Sequence, residues 1–156
     1  SPAPTLTAVM SGQVDVGWAA PPFGLDQLDR GEIRQIATGN DTVFKGQTVR
    51  LLITNVQTLK NRKPVIDRFM KAYRETIDWM YSDDPKALAT YAEFVPIPIA
   101  MAKRTRDDFF PKAAVDPDKI VGLDTIVQDA VNLKYTAAPL TKEQLAELIQ
   151  IPPRKK

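Results

Sequence analysis

Apolar residues recur along this chain with two different periods, and the change falls near residue 55. Before it, the repeats are short. Leu6, Val9 and Met10 share one face of a helix predicted over Thr5 to Ser11, with Thr5 as N-cap and Gly12 at the C′ position. Val14-Asp15-Val16-Gly17-Trp18 alternates apolar and other residues, the pattern of a strand. Ala19 to Gly24 breaks any regular element, because Pro21 and Pro22 remove two backbone donors and fix two φ angles. Leu25 to Asp29 predicts one helical turn ending near Gly31. Ile33 to Thr38 reads as a second strand closed by Gly39-Asn40-Asp41, and Val49 to Thr54 as a third.

After residue 55 the period is helical throughout. Ile66, Phe69, Met70, Tyr73, Ile77 and Met80 fall on one face of a helix predicted from an Asn61 cap to about Tyr81. That spacing assigns Phe69, Tyr73 and Trp79 to core packing. Asp84-Pro85 and Asp116-Pro117 each pair a cap with a proline suited to a first helical turn. They predict a helix carrying Leu88, Tyr91 and Ala92 inward, and another carrying Ile120, Leu123, Val127, Ala130 and Val131. Between them, Pro96 and Pro98 interrupt the chain ahead of a helix over Ile99 to Phe109. Thr141-Lys142-Glu143-Gln144 has the form of a capping box before Leu145, Leu148 and Ile149, and Pro152-Pro153 ends that helix.

Composition removes several functions. The chain has no Cys and no His, so a zinc site and Cys–His or Ser–His–Asp nucleophilic machinery lack their main groups. Lys and Arg number 21 against 19 Asp and Glu, a net charge of +2, which leaves no basic footprint for nucleic acid. The terminal run Arg154-Lys155-Lys156 reads as solvated charge. Asp83-Asp84 and Asp107-Asp108 read as caps and solvated faces, since adjacent side chains do not converge on one face. The seven glycines are scattered and form no phosphate loop. No run approaches the roughly 18 apolar residues of a membrane span, and Ser1-Pro2-Ala3-Pro4 has neither the basic start nor the apolar run of a signal peptide.

Several segments together resemble a known family. Ala8-Val9-Met10-Ser11-Gly12-Gln13-Val14-Asp15-Val16 resembles the "AL-x-SG-x-VDA" segment of the substrate-binding proteins for nitrate, taurine and aliphatic sulfonates, relatives of binders of thiamine pyrimidine precursors. The following loop, Trp18 to Phe23, carries the Trp and Pro of that family. Asn61 to Trp79 resembles its "N-P-x-x-V-x-x-F-x-x-A-Y-x-x-A-x-x-W" helix, with Pro64 displaced by two positions, and Asp83 to Leu88 its "NP-x-x-A" segment. The resemblance implies an α/β chain: part of a type II periplasmic binding protein fold, with few strands followed by a helix-rich C-terminal half. Residues 1–54 would end the second lobe and supply a crossover strand near the hinge, and 55–156 would complete the lobes. An N-terminal lobe and a signal peptide are expected to lie outside this chain.

The implied function is capture of a small organic or oxyanionic solute for the membrane permease of an ABC importer, in the periplasm, without catalysis, metal or cofactor. Trp18 stands at the C-terminal end of a predicted strand, where α/β sheets bind ligands, although a Trp there also packs a loop onto its sheet. Pro21, Pro22 and Phe23 would form a stiff apolar wall, or simply a rigid turn. Asn40 and Asp41 could offer backbone donors at the end of the second strand, or form a plain turn. Two other functions stay open. One is a helical protein–protein interaction module acting through Asn61 to Tyr81. The other, thiamine-precursor biosynthesis as in some relatives, is disfavoured because that chemistry uses His and Cys. Exposed apolar surface would let copies of the chain self-associate under either of the first two readings.

Overall fold

In the computed structural model, which describes residues 2–41, 45–48 and 50–154, every regular element among those residues is helical. The helices are α1 (Pro2–Met10), α2 (Leu25–Asp29), α3 (Val56–Asn61), α4 (Lys63–Met80), α5 (Pro85–Phe94), α6 (Ile99–Arg104), α7 (Leu123–Asn132) and α8 (Lys142–Leu148). A π-helical turn, Thr105–Phe109, continues α6, and short 3-10 turns cover Gly39–Asp41 and Lys112–Ala114. The chain forms two compact units, each built from two segments. The first takes Ser1–Thr42 with Ser82–Pro111, and the second Val43–Tyr81 with Lys112–Lys156.

The expected α/β class is therefore overturned. Residues 14–18, 33–38 and 50–54 form no sheet among the described residues, and Val49 lies outside them. Alternation reports that a segment has two unlike faces, but a strand also needs a hydrogen-bonded neighbour. Val14 N–H turns back to the Ala8 carbonyl at 3.4 Å. Gly17 lies against α1 so closely that a Cβ there would meet Thr5 Cγ2 and Val9 Cγ2 at 2.7 Å. In place of a ladder, this segment has helix side chains on one side.

Local end signals fared better than strand patterns. Gly12 takes φ +71° at the C′ position of α1, with Gly12 N–H on the Val9 carbonyl and Gln13 N–H on that of Ala8. That is a Schellman pair, which needs a residue at ease with positive φ. Asp84 caps α5, accepting from Lys86 N–H at 3.0 Å. The Thr141–Gln144 capping box forms reciprocally on α8, and hydrogen bonds from Glu143's own backbone N–H and the Thr141 hydroxyl hold the Glu143 carboxyl below its ordinary pKa. The long helix does not start at Asn61. Asn55 caps α3, Asn61 ends it, and α4 begins beyond Arg62 with Pro64 in its first turn. A proline at 64 has no N–H and clashes with the carbonyl four residues back, so a continuous helix is barred there. Asp116-Pro117 likewise opens a turn: Asp116 accepts from Asp118 N–H, and α7 starts only after Gly122. Ile120 consequently lies outside the helix expected to carry it.

In the first unit, α5 packs on α6, and the buried contacts include Ala87, Ala92 and Ala102, small residues that let the helices approach. Leu25 is buried at the start of α2. Beside it, a Cβ at Gly24 would lie within 4 Å of Ile33, Ala19 and Leu6 side chains. Arg104 of α6 donates to both Asp29 oxygens at 2.6 and 2.8 Å, which raises the guanidinium pKa and joins the unit's two segments. Asp107 accepts from Arg106 and Lys103, and these cations pull its carboxyl down to about 2. Thr105 is buried with no partner for its hydroxyl among the described residues.

The second unit centres on Arg74. This guanidinium is 7% exposed. It donates to Asp118 Oδ1 at 2.9 and 2.5 Å and to the Pro152 carbonyl at 2.5 Å. Arg154, expected to be solvated, instead donates to Asp118 at 3.2 Å and sits 3.8 Å from Asp78; Lys155 and Lys156 lie outside the described residues. The expected aromatic core of α4 does not close. Phe69 and Tyr73 stack at 6.0 Å between ring centres, but Phe69 is exposed, and Met70 and Arg74 are the buried residues of this helix. An apolar stripe buries only if another apolar surface meets it.

The accessible surface is 11989 Å² for 17.4 kDa. A folded monomer of that mass exposes about 7,900 Å², and two separate domains of half the mass about 9,500 Å². Large apolar side chains that stay in water include Val16, Trp18, Ile36, Ile53, Phe94 and Leu133.

Asp118→Ala should lower unfolding stability by about 2–4 kcal/mol in urea titrations, because it strips the main partner from a buried guanidinium; the exposed control Asp15→Ala should change it by no more than about 0.5 kcal/mol. Thr105→Val should be neutral or stabilising by up to about 1 kcal/mol, since it removes an unpartnered buried hydroxyl at nearly constant shape.

Candidate functional site

All six residues singled out from the sequence fall in the first unit. Trp18 lies in the irregular stretch between α1 and α2 and is 60% exposed. Ala20, Pro21 and Pro22 behind it are half-buried, and the Pro21–Pro22 peptide is cis. Phe23 N–H bonds the Ala20 carbonyl at 3.1 Å, so the loop closes in a tight turn and leaves the Phe23 ring exposed. The loop thus holds two aromatic side chains outward on a backbone whose freedom the prolines have already removed. Contacts on such a loop lose little entropy when a ligand arrives.

Asn40 and Asp41 sit in the 3-10 turn. The Asp41 N–H donates to the Thr38 carbonyl at 3.0 Å, and its carboxylate accepts from Thr38 N–H at 2.7 Å and Thr38 Oγ1 at 2.9 Å. Those two donors hold the Asp41 carboxyl below its ordinary pKa. Asp41 is therefore occupied in closing its own turn.

A second feature was not foreseen. In the second unit an open cleft of about 570 Å³ is lined by Ile77, Asp78, Lys112, Ala113, Asp116, Pro117, Asp118, Lys119 and Arg154. Its size suits a small ligand, but its charges largely satisfy one another. Lys112 reaches Asp78 at 2.6 Å, Arg154 bridges Asp78 and Asp118, and Asp116 is engaged by the Asp118 N–H. No local spacing announces this cleft, because its partners are far apart in sequence. Among the described residues, no group of acidic side chains is arranged to hold a metal ion, and no helix is long and apolar enough to cross a membrane.

Residues 3–87 match the family model described as NMT1/THI5 like. That match spans more than half of the chain, and the protein belongs to this family of periplasmic binding proteins for nitrate, sulfonates and thiamine precursors. The matched stretch includes the whole Trp18–Phe23 loop and the Asn40–Asp41 turn. No curated protein and no solved structure matches the chain. Family membership is consistent with a solute-binding role in ABC transport.

The Lys112 ammonium beside Asp78 holds that carboxyl below its ordinary value of 3.8. Its folded pKa lies below the unfolded one, so the pair contributes stability above the unfolded value and loses it as pH falls through the folded value. Melting temperatures measured between pH 5 and about 2 should therefore fall less steeply in Asp78→Asn than in the native chain; equal slopes would remove this pair from the acid response.

Proposed function

We propose that this chain is a solute-binding component of an ABC-type importer and acts without catalysis. The supporting observation is the Trp18–Phe23 loop: two exposed aromatic rings on a proline-stiffened turn, inside the stretch that matches a family of binding proteins. In this reading Trp18, Pro21, Pro22 and Phe23 contact the solute, with Asn40 and Asp41, in the 3-10 turn of the same unit, as further contacts. An apolar wall favours an organic solute over a bare inorganic anion, because rings gain from burying carbon and offer an oxyanion no charge-assisted donor. The compartment implied is the periplasm, and the partner a membrane permease.

Catalysis as in thiamine-precursor biosynthesis is not part of this reading, since the chain has no His or Cys for the chemistry attributed to those relatives. A second reading, a helical module that binds a protein through α4, draws on the exposed Phe69 ring stacked on Tyr73.

The chain contains two tryptophans, Trp18 and Trp79, so Trp79→Phe leaves Trp18 as the sole indole reporter. Titrating that variant with nitrate, short alkanesulfonates, taurine and a thiamine pyrimidine precursor should give a saturable fluorescence change with an organic member. Calorimetry on Trp18→Ala should then show at least about tenfold weaker binding, the loss of one buried aromatic contact. Tight binding that leaves Trp18 fluorescence and the Trp18→Ala affinity unchanged would move the site elsewhere. No binding by any of the four, with a protein captured through Phe69, would favour the helical-module reading.

A further inference from the structure

The open cleft of the second unit gathers charge from three distant parts of the chain: Asp78 on α4, the stretch 112–119, and Arg154 near the C-terminal end. Arg74 lies behind it, buried against Asp118. The cations here are Arg74, Lys112, Lys119 and Arg154, and the anions are Asp78, Asp116 and Asp118. One positive charge is therefore left over, in a chain whose whole excess is only +2.

That remainder sits on side chains that line the cleft. Each carboxylate is engaged: Asp78 by Lys112 at 2.6 Å, Asp118 by Arg74 and Arg154, and Asp116 by the Asp118 N–H. Lys119 is exposed, and its ammonium has no hydrogen bond or ion pair with a described residue. Arg154 donates through Nε alone, to Asp118 Oδ2 at 3.2 Å, while Nη1 stands 3.8 Å from Asp78. Its terminal N–H groups therefore make no hydrogen bond to a described residue. Ile77, Ala113 and Pro117 add carbon surface to the lining. A volume of about 570 Å³ falls in the range that holds a small ligand.

We propose that this cleft binds a small organic carboxylate, with its head on Lys119 and the terminal nitrogens of Arg154 and its carbon body against Ile77, Ala113 and Pro117. A carboxylate matches the guanidinium fork and forms charge-assisted hydrogen bonds there. One negative charge cancels the local excess, whereas a dianion overshoots it and a cation meets repulsion. The apolar part of the lining favours an organic acid over a bare inorganic ion, which has no carbon to bury. Ion pairs already in place restrict Arg154, so less freedom is lost when a ligand arrives. The site lies in the second unit and shares no residue with the Trp18–Phe23 loop of the first.

Hexanoate, titrated into the isotopically labelled native chain at low ionic strength, should shift the Ala113 and Lys119 amide resonances saturably and leave that of Trp18 in place. Hexanol, which lacks the charge, and chloride, which lacks the carbon, should each bind at least about tenfold more weakly. Lys119→Ala removes a side chain with no described partner and should weaken hexanoate binding about tenfold. Lys142→Ala, an exposed lysine of α8 outside the cleft, should leave it unchanged. Asp78→Asn, with its helical circular dichroism intact, raises the local excess and frees Lys112, and should tighten binding roughly threefold. Absence of saturation, or equal losses in Lys119→Ala and Lys142→Ala, overturns the proposal. Hexanol binding as tightly as hexanoate overturns the carboxylate, and weaker binding in folded Asp78→Asn overturns the charge argument. Trp18→Ala should not change hexanoate affinity; a loss there would assign the acid to the loop and overturn this site. Failure of the cleft leaves the solute-binding reading of the loop untouched.

Discussion

A buried guanidinium organises the second unit. Taking Arg74 out of water is unfavourable unless its donors are met in good geometry. The chain meets them with Asp118, which lies in a turn after a proline, and with the carbonyl of Pro152 near the C-terminal end. Three stretches distant in sequence are thereby held to one point on α4. The same requirement recruits Arg154, which shares Asp118 and approaches Asp78, and through Asp78 it reaches Lys112. Five charged side chains, Arg74, Asp118, Arg154, Asp78 and Lys112, belong to this network, and all but Arg74 line the cleft beside α4.

The first unit follows a different logic. Its buried helical contacts are small: alanines on α5 and α6, with Leu25 at the start of α2. Arg104 and Asp29 join its two segments by charge at the rim. Small residues permit close helix approach but bury little area, so neither unit closes a large core. Many long aliphatic and aromatic side chains stand exposed instead, some on helices, as Phe69, Phe94 and Leu148 do, and others on irregular segments where neither helix packing nor a sheet covers them. Trp18, Phe23 and the run 51–54 belong to this set. Exposed apolar surface of that kind is where contact sites are commonly found.

Family membership and geometry bear on different parts of this picture. The matched stretch, 3–87, reaches α1, the aromatic loop and α4, whereas much of the ion-pair network that stabilises the second unit draws on residues beyond it. The solute-binding role proposed above draws on the loop of the first unit, which lies inside the matched stretch. The charged cleft of the second unit serves chiefly to hold its own segments together.

Helix ends were the most legible part of the sequence, because a cap is decided by a few neighbouring residues. Gly12, Asp84 and the Thr141–Gln144 box needed nothing distant to form. The proline-stiffened loop was legible for the same reason, and so was the placement of Trp18 and Phe23 on it. Sheet structure was not, since alternation at 14–18 and 33–38 describes faces while a ladder requires a partner strand. Asp116-Pro117 misled because a cap needs a helix that continues, and the chain there makes a turn that delivers Asp118 to Arg74. The sequence by itself thus determined where helices stop, which loop is rigid and which chemistries lack their side chains. Only the tertiary structure decided which charges meet, that Arg74 is buried among them, and which apolar segments are left uncovered, because those outcomes depend on contacts between residues far apart in the chain.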